Sequence, residues 1–494
     1  MGKDIEPDDG DDQWEDESGD EGGDIEADGD KMDEDPKASN PNDLSQYKLD
    51  EYDEDTGNIA SGPFSNIKGL TYYRDNEDDP YITLKEDEEE EERQELEVLP
   101  SDNLLVIAKT EDDISHLEVY VYDESEDNLY VHHDLMLPSF PLCLEWLDYK
   151  PASSSTSDDG SSSSQLPGNY IAVGTFDPEI EIWSLDTVDG LYPDGILGRP
   201  DKSREHIPVP LGTGKKKRKK EKPRKANAEY HVDAVLGLSW NKSHRNLIAS
   251  ASADKTVKLW DLSKENAPAI RSFDVHKDKV QAVQWNQSEP TVLLTGSYDR
   301  TVRMFDTRAP TSGVGAVLGA DVEALRWDPF EPNAFYVSLE NGLVLNFDAR
   351  TLPSDLNSPS PARFTLSAHD GAVSGLDVNP HIRGCLATGG TDKVVKVWNI
   401  EEQGGNRSVS MVTSRDLGVG KVFTVGWSPD DPLTLVAGGS KAQLQIWEVG
   451  QNAGVRSTFK TKLAQAGREL REKKSEVIGV VDDEDDDDDE GDAE

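Results

Sequence analysis

An all-β fold, a ring of seven small antiparallel sheets known as a β-propeller, is predicted by three observations. Pairs of aromatic or apolar residues that end strand-like runs recur at one spacing, and the full repeat spans 42 to 51 residues. The runs also alternate apolar and polar residues, which is the pattern of a strand with one buried face. Four short strands per repeat of this length are typical of a propeller blade.

Each copy of the repeat is marked by two residues, and five copies place them 20 positions apart. These pairs are Trp240 and Trp260, Trp285 and Phe305, Trp327 and Phe347, Val378 and Trp398, and Trp427 and Trp447. An earlier copy, with Trp146 and Trp183, has the wider spacing of 37 because a Ser-rich insertion at 151–167 separates two of its strands. A weaker copy covers 104–108 and 117–122. We number the blades 1 to 7 in chain order, beginning with this weak copy.

The repeat divides the chain into four parts. Residues 1–79 are expected to be a disordered acidic leader, and residues 80–450 the propeller. A second insertion, at 187–228, is too long for an ordinary connection between blades. Residues 451–480 are predicted to contain a basic amphipathic helix, because Phe459, Leu463, Ala466 and Leu470 follow helical spacing. Residues 481–494 form an acidic tail that we expect to be disordered.

The negative charge lies at the two ends of the chain. The formal net charge is -50, of which residues 1–100 carry -29 and residues 481–494 carry -11. The predicted propeller is therefore close to neutral. Acidic ends favour basic protein partners and disfavour duplex nucleic acid. The alternative interpretation is that they only keep the chain soluble.

Composition also argues against several classes of protein. The two cysteines, Cys143 and Cys385, lie far apart in strand-like runs, so we expect a reducing compartment without disulfides. The sequence has no apolar stretch long enough to span a bilayer and no secretory signal. Cysteine and histidine never cluster at metal-binding spacing, and neither glycine-rich run matches a phosphate-binding loop. We therefore expect a soluble intracellular protein without a cofactor or a metal.

Three blades share a set of four residues at matched positions. The sets are His231, Ser250, Asp254 and Trp260 in blade 3, His276, Thr295, Asp299 and Phe305 in blade 4, and His369, Thr388, Asp392 and Trp398 in blade 6. These phrases resemble WD40 repeats. The resemblance implies a buried chain of hydrogen bonds running from the Asp through the His and the hydroxyl to the indole N–H.

Serine, histidine and aspartate also form hydrolase triads, which is the competing interpretation. A catalytic triad occurs once per site, whereas this set recurs in three blades, so we favour the structural role. Some blades depart from the pattern. Phe305 has no indole N–H, blade 5 has Asn341 and Gly342 at its turn and lacks the histidine, and blade 7 has Ala437 where the hydroxyl belongs.

A strongly basic segment lies within the second insertion. Its nine bases are Lys215, Lys216, Lys217, Arg218, Lys219, Lys220, Lys222, Arg224 and Lys225. Such a density predicts a nuclear localisation signal, and the alternatives are a nucleic-acid contact or a solvated loop. The helix predicted after blade 7 is also basic. It is expected to dock on the propeller, and the alternative is that it binds a partner or RNA.

The regularly spaced tryptophans, the acidic leader and the Lys-rich insertion before blade 3 resemble the periodic tryptophan protein 1 family over about residues 80 to 450. The resemblance implies a nuclear and nucleolar protein in ribosome biogenesis, rRNA gene transcription or histone H4-linked chromatin regulation. Members usually begin with a short apolar strand carrying a tryptophan, whereas this sequence begins in the acidic segment. Either this form lacks that strand, which would leave an unpaired sheet edge where the ring closes, or the chain start is misplaced.

WD40 propellers usually bind partners on the face that carries the turns before the innermost strands. The positions that the resemblance places there are Phe140, Leu142, Phe176, Leu236, Lys279, Tyr298, Asp321, Glu323, Lys421 and Phe423. An apolar surface with two carboxylates suits a basic peptide that has one apolar anchor. The alternative is that tails or insertions cover several of these positions.

The sequence thus predicts a non-catalytic scaffold, monomeric within larger complexes and located in the nucleus and nucleolus. The first hypothesis is a role in ribosome biogenesis, meaning pre-rRNA processing or large-subunit assembly, with basic ribosomal or assembly proteins as partners and rRNA contacts through the basic segments. The second is a chromatin adaptor that binds histone H4. An enzyme is not expected.

Overall fold

The computed structural model describes residues 102–112, 114–123, 127–152, 167–188, 190–198, 226–264, 267–403, 406–468 and 475–479. They form seven antiparallel sheets, each built from consecutive strands. The prediction of a seven-bladed β-propeller is confirmed. The acidic leader, the basic segment at 215–225 and the acidic tail lie outside the described residues.

The strands follow the chain blade by blade. Their bounds are β1 (Asn103–Glu111), β2 (Ile114–Asp123) and β3 (Asn128–Leu137) in blade 1; β4 (Pro141–Leu147), β5 (Tyr170–Thr175), β6 (Ile180–Ser184) and β7 (Gly195–Leu197) in blade 2; β8 (Val235–Trp240), β9 (Leu247–Ser252), β10 (Val257–Asp261) and β11 (Arg271–Phe273) in blade 3; β12 (Val280–Trp285), β13 (Val292–Ser297), β14 (Thr301–Asp306) and β15 (Val314–Val317) in blade 4; β16 (Val322–Trp327), β17 (Ala334–Leu339), β18 (Leu343–Asp348) and β19 (Phe364–Ser367) in blade 5; β20 (Gly375–Val378), β21 (Cys385–Gly389), β22 (Val394–Gln403) and β23 (Asn406–Asp416) in blade 6; and β24 (Val422–Trp427), β25 (Thr434–Gly439), β26 (Leu444–Glu448) and β27 (Val477–Gly479) in blade 7.

Strand register explains the spacing of 20 residues. In blade 3, Trp240 of the first strand and Trp260 of the third strand both lie opposite Ile248 of the strand between them. The two marker residues of every blade from 2 to 7 flank one central residue in this way. The central residues are Ile171, Ile248, Leu293, Phe335, Leu386 and Leu435. The spacing of 20 residues therefore counts the chain from the first strand to the third, through the strand between them and its two loops. The insertion in blade 2 lengthens only the first of these loops.

Apolar clusters form between neighbouring blades rather than within one sheet. Ile180 and Ile182 of blade 2 pack in one cluster with Val235 and Trp240 of blade 3. Each fully buried side chain of this kind contributes roughly 1.5–3 kcal/mol relative to an exposed one. The alternating strands therefore stabilise the ring through contacts with the next blade.

Blade 1 has three strands among the described residues. Its first strand, β1, is only partly buried along most of its length, whereas the second strands of blades 2 to 6 are almost completely buried. Trp146, in the adjacent inner strand, is 50% exposed, in contrast to the buried Trp240. Blade 1 joins blade 7 through apolar residues of all three strands. Tyr120 and Leu129 pack in one cluster with Ile446 and Ile478, and Leu105 and Ile107 of β1 pack against it.

The C-terminal boundaries differ from the prediction. Helix α1 (Ala453–Gln465) ends before Gly467, whose φ of +66° is a conformation that favours glycine and stops helices. The chain then returns as β27, which pairs with β26 and completes blade 7. The propeller therefore does not end at residue 450, and the helix occupies only the first half of the predicted segment 451–480. The helical periodicity was extended too far, since Ala466 lies beyond the helix and is exposed.

The second insertion also begins later than predicted. Residues 195–197 form β7, the fourth strand of blade 2, although they fall inside the predicted insertion at 187–228. A strand of three residues is too short for alternation to reveal it. In blades 2 to 7, we call the upper face the one that carries the hairpins between the second and third strands. The lower face carries the loops between the first and second strands and between the third and fourth strands, and α1 follows a third strand onto this face.

Candidate functional site

The four polar residues of blade 3 form a continuous hydrogen-bonded chain. Asp254 Oδ2 lies 2.9 Å from His231 Nδ1, and His231 Nε2 lies 2.6 Å from Ser250 Oγ. The Trp260 indole N–H donates to the same Ser250 oxygen at 2.8 Å. Every buried polar group of the set has a partner, which is how a buried network stabilises a fold.

Blade 6 repeats this chain, and blade 4 repeats part of it. In blade 6, His369 joins Asp392 to Thr388 and Trp398 donates to Thr388 at 2.9 Å. In blade 4, His276 lies 3.1 Å from Asp299 and 2.8 Å from Thr295. Phe305 cannot donate there, and the Thr295 hydroxyl donates instead to the Arg303 carbonyl at 3.2 Å.

These histidines are sealed between strands. His231, His276 and His369 are all buried. Burial lowers the pKa of His231 and of His369 despite their aspartate partners, so both rings are neutral at pH 7. The repeated Ser/Thr, His and Asp sets therefore have no open cleft beside them, and their geometry supports a structural role.

The third-strand indole has a different environment in blades 2 and 7. In blade 2, the Trp183 indole N–H donates to Glu181 of the same strand at 3.1 Å. In blade 7, the Trp447 indole nitrogen is buried and has no partner among the described residues, because Ala437 occupies the hydroxyl position. The departure read from the sequence thus leaves one unsatisfied buried donor, which costs stability.

The proposed binding surface surrounds the central channel on the upper face, and we call it the mouth. Five inner strands have an irregular register at their second residue. The residues skipped at these irregularities are Leu142, Leu236, Gln281, Glu323 and Phe423. A β-bulge re-aims a side chain out of the regular alternation. All of these positions except Gln281 were predicted from the sequence; the polar side chain of Gln281 gave no binding signal.

Three phenylalanines of the mouth are exposed. Phe140 and Phe176 lie with ring centroids 5.4 Å apart, and they are 45% and 60% exposed. Phe423 of blade 7 is 56% exposed. Leu142 and Leu236 are partly buried, and Lys279 and Lys421 are exposed. Exposed large apolar side chains grouped on one face are typical of a protein-binding surface.

Carboxylates surround Tyr298 on the blade 4 and blade 5 side of the mouth. Burial, together with Glu323, Asp321 and Glu340, raises the pKa of Tyr298 to about 12. Burial, together with Glu340 and Asp321, also raises the pKa of Glu323. Asp321 pairs with Arg300 at 3.2 Å, but among the described residues no side chain pairs with the carboxylate of Glu323 or Glu340. This side of the mouth therefore favours a cationic group.

A second set of contacts, which the sequence analysis missed, links neighbouring blades inside the channel. In blades 2, 3, 4 and 6, the residue immediately before the first marker residue accepts a hydrogen bond from the next blade. The donor is the backbone N–H of the tryptophan that is the first marker of that next blade. The pairs are Glu145 with Trp240 at 2.8 Å, Ser239 with Trp285 at 3.2 Å, Gln284 with Trp327 at 3.2 Å, and Asp377 with Trp427 at 2.8 Å. Burial raises the pKa of Glu145 to about 7. The available signal was a polar residue at one fixed position in otherwise apolar strands.

In the part of the chain that the structure describes, no group of three or more His, Cys, Asp or Glu side chains could hold a metal ion. Within the same residues, no helix has the length and apolar character needed to cross a bilayer.

Comparison with known proteins supports the fold and identifies the family. Residues 226–261, 268–306 and 361–399 match the WD domain, G-beta repeat family. A histone acetyltransferase type B subunit 2 of Candida glabrata is 28% identical over 36% of this chain and 42% of its own length. An uncharacterized WD repeat-containing protein of Schizosaccharomyces pombe is 48% identical over 85% of this chain and 77% of its own length. Periodic tryptophan protein 1 of Saccharomyces cerevisiae is 35% identical over 88% of this chain and 80% of its own length. The chain therefore belongs to the periodic tryptophan protein 1 family of WD-repeat proteins.

Proposed function

We propose that this WD-repeat protein is a non-catalytic scaffold of ribosome biogenesis in the nucleus and nucleolus, and that it holds a basic assembly protein at the mouth. The observation that carries the proposal is that the mouth presents both exposed aromatic side chains, Phe140, Phe176 and Phe423, and two carboxylates, Glu323 and Glu340, that have no side-chain partner among the described residues. Aromatic anchors supply most of the binding energy of an interface, and complementary charge selects the partner.

Two further features support the choice of partner and compartment. The acidic ends of the chain favour basic proteins, of which ribosomal proteins are an abundant nuclear class. The basic segment at 215–225 is of the kind read by nuclear import receptors. The protein is expected to act as one copy within a larger assembly.

The test replaces Phe176 and Phe423 with serine in the full chain. Cells depleted of the protein should accumulate unprocessed pre-rRNA. Wild-type chain should restore processing and the double variant should not, because it has lost two anchors of the partner. The matched control replaces Leu191 and Tyr192, which are 80% and 83% exposed on the lower face, and it should restore processing. An unchanged pre-rRNA profile after depletion would contradict the proposal.

A second candidate is a chromatin adaptor that binds histone H4 at the same mouth. It is favoured by the similarity to a relative named as a subunit of a type B histone acetyltransferase. Direct binding of an H4 tail peptide, lost in the Phe176→Ser and Phe423→Ser variant while pre-rRNA processing is normal, would support this candidate over the first.

A further inference from the structure

An arginine cluster lies on the lower face of blades 5 and 6. The carboxylate of Glu331 accepts hydrogen bonds from Arg363 at 2.8 Å, from Arg383 at 2.8 Å and from Arg407 at 2.9 Å. Asp348 accepts from Arg363 and from Arg350, both at 2.7 Å. Four guanidinium groups from two blades are thus tied together by two acids.

The acids hold the arginines in fixed orientations. Burial opposes ionisation of Glu331, but its arginine partners outweigh burial and lower its pKa to about 2. Arg363 and Arg407 are largely buried, whereas the side chains of Arg350 and Arg383 are 67% and 63% exposed. Among the described residues, Arg383 donates only through Nη2 to Glu331, and its side chain is 63% exposed, so its other N–H groups are available to a ligand.

Helix α1 continues this basic surface. The backbone N–H of Ile400 donates to Gly384, the residue after Arg383, and the Ile400 carbonyl accepts from Lys462 of α1 at 3.2 Å. Arg456, Lys460 and Lys462 lie in α1, which contains no acidic residue. Arg456 and Lys460 are exposed, as is Arg468, which follows the helix and donates to a carbonyl of blade 7.

The combined surface is positive in a strongly acidic chain. In the cluster, four arginines face Glu331, Asp348 and the more distant Glu402, which lies 3.6 Å from Arg407. The segment 453–468 adds four bases and no acid. Glu401 acts on Lys462 and Asp430 lies beside Arg468, so the eight bases still outnumber these neighbouring acids. We call the four arginines of the cluster, together with Arg456, Lys460, Lys462 and Arg468, the basic lower face.

We propose that the basic lower face binds the phosphodiester backbone of structured RNA without reading its sequence. A guanidinium can bind phosphate oxygens through two N–H groups. Arg383 keeps Nε and Nη1 for such a contact, whereas Arg350, whose Nε and Nη2 both bind Asp348, keeps Nη1. A rigid array of donors suits a polyanion whose charges are themselves rigidly spaced, as in an RNA helix. A flexible acidic peptide would have to lose conformational entropy to match the same array.

This surface is separate from the mouth. The mouth lies on the upper face, so one molecule can hold RNA and a protein partner at the same time. The proposal does not depend on the proposed role in ribosome biogenesis, because binding is measured with purified protein and RNA alone.

The experiment measures binding of the full chain to a fluorescently labelled RNA hairpin of about 16 base pairs. The triple variant Arg350→Gln, Arg383→Gln and Lys460→Gln should weaken binding by about tenfold or more at moderate salt, because each lost cation removes a phosphate contact. The dependence of log K on log salt concentration should become shallower by roughly one per lost contact.

The matched control makes the same change in charge on the upper face. It carries Lys277→Gln, Lys393→Gln and Lys441→Gln, which replace three exposed lysines, and it should bind RNA like the wild type. Circular dichroism and thermal melting show whether each variant is folded. The proposal is overturned if the wild type does not bind at low salt, if the two triple variants weaken binding equally, or if polyglutamate displaces the RNA as well as unlabelled RNA does.

Discussion

The Tyr122 hydroxyl donates a hydrogen bond to the buried Glu448 carboxylate at 3.0 Å, across 326 residues of chain. Tyr122 lies in β2 of blade 1, and Glu448 is the last residue of β26 in blade 7. The Thr434 hydroxyl donates to the same carboxylate at 3.0 Å. This polar contact joins the first and last blades outside the innermost strands, beside the apolar cluster that contains Tyr120 and Ile446.

Removal of the Tyr122 hydroxyl should destabilise the ring. We expect Tyr122→Phe to lower the free energy of unfolding by about 1–3 kcal/mol, because a buried carboxylate loses a donor. Urea denaturation measures the change. Tyr130→Phe is the control, since Tyr130 is 45% exposed in the same blade and should change stability little. Equal effects of the two substitutions would mean that the Tyr122 contact does not help to close the ring.

Blade 7 should gain stability from a restored hydroxyl. Ala437 lies opposite Gln445, as Ser250 lies opposite Lys258 in blade 3. Ala437→Ser should therefore offer an acceptor to the unpartnered Trp447 indole and add about 1 kcal/mol to the free energy of unfolding. Ser250→Ala should have the opposite effect, because it removes the partner of Trp260. A destabilised Ala437→Ser variant would show that the pocket has no room for the oxygen.

Stability should depend on the protonation of buried histidines. Burial lowers the pKa of His231 in the folded protein, so below pH 6.5 the unfolded chain binds more protons at this site. The contribution of neutral His231 to the free energy of unfolding is therefore fully present above pH 6.5. It is lost as the pH falls below that value, at up to about 1.4 kcal/mol per pH unit.

The measurement compares wild-type protein with His231→Gln between pH 8 and pH 5 by urea denaturation. The variant should be less stable at pH 8 and should lose less stability on acidification. His244→Gln, at an exposed position, is the control and should keep the wild-type dependence. Parallel curves for wild type and His231→Gln would disprove the proposed neutral, buried state of His231.

The basic segment should direct the protein to the nucleus. Replacing Lys215, Lys216, Lys217, Arg218, Lys219 and Lys220 with glutamine should leave a fluorescent fusion in the cytoplasm, because import receptors read clustered positive charge. The control neutralises Arg456, Lys460 and Arg468, which are exposed at the lower face. Nuclear fluorescence that is unchanged by the first set of substitutions would rule out the import role.

Much of the fold was predictable because its signal is local and repeated. Trp240 and Trp260 lie 20 residues apart because both flank the same residue of the intervening strand, and blades 4 to 7 repeat this arrangement. The spacing of the marker residues therefore indicates the strand register of each of these blades. The boundaries of blade 7 were not predictable in this way. The three residues of β27 carry too little pattern, and only pairing with β26 makes them a strand.

The candidate sites also differ in whether their signal lies within one blade or depends on contacts between blades. The sequence by itself determined the sets of His, Ser/Thr, Asp and Trp and the missing hydroxyl at Ala437 of blade 7, because each set belongs to one blade and lies at fixed spacing. Only the tertiary structure decided which mouth residues are exposed, how Glu145 reaches Trp240, and that Glu331 gathers Arg363, Arg383 and Arg407. The physical reason is that these contacts join different blades, and the distances between blades are set by packing around the ring rather than by spacing along the chain.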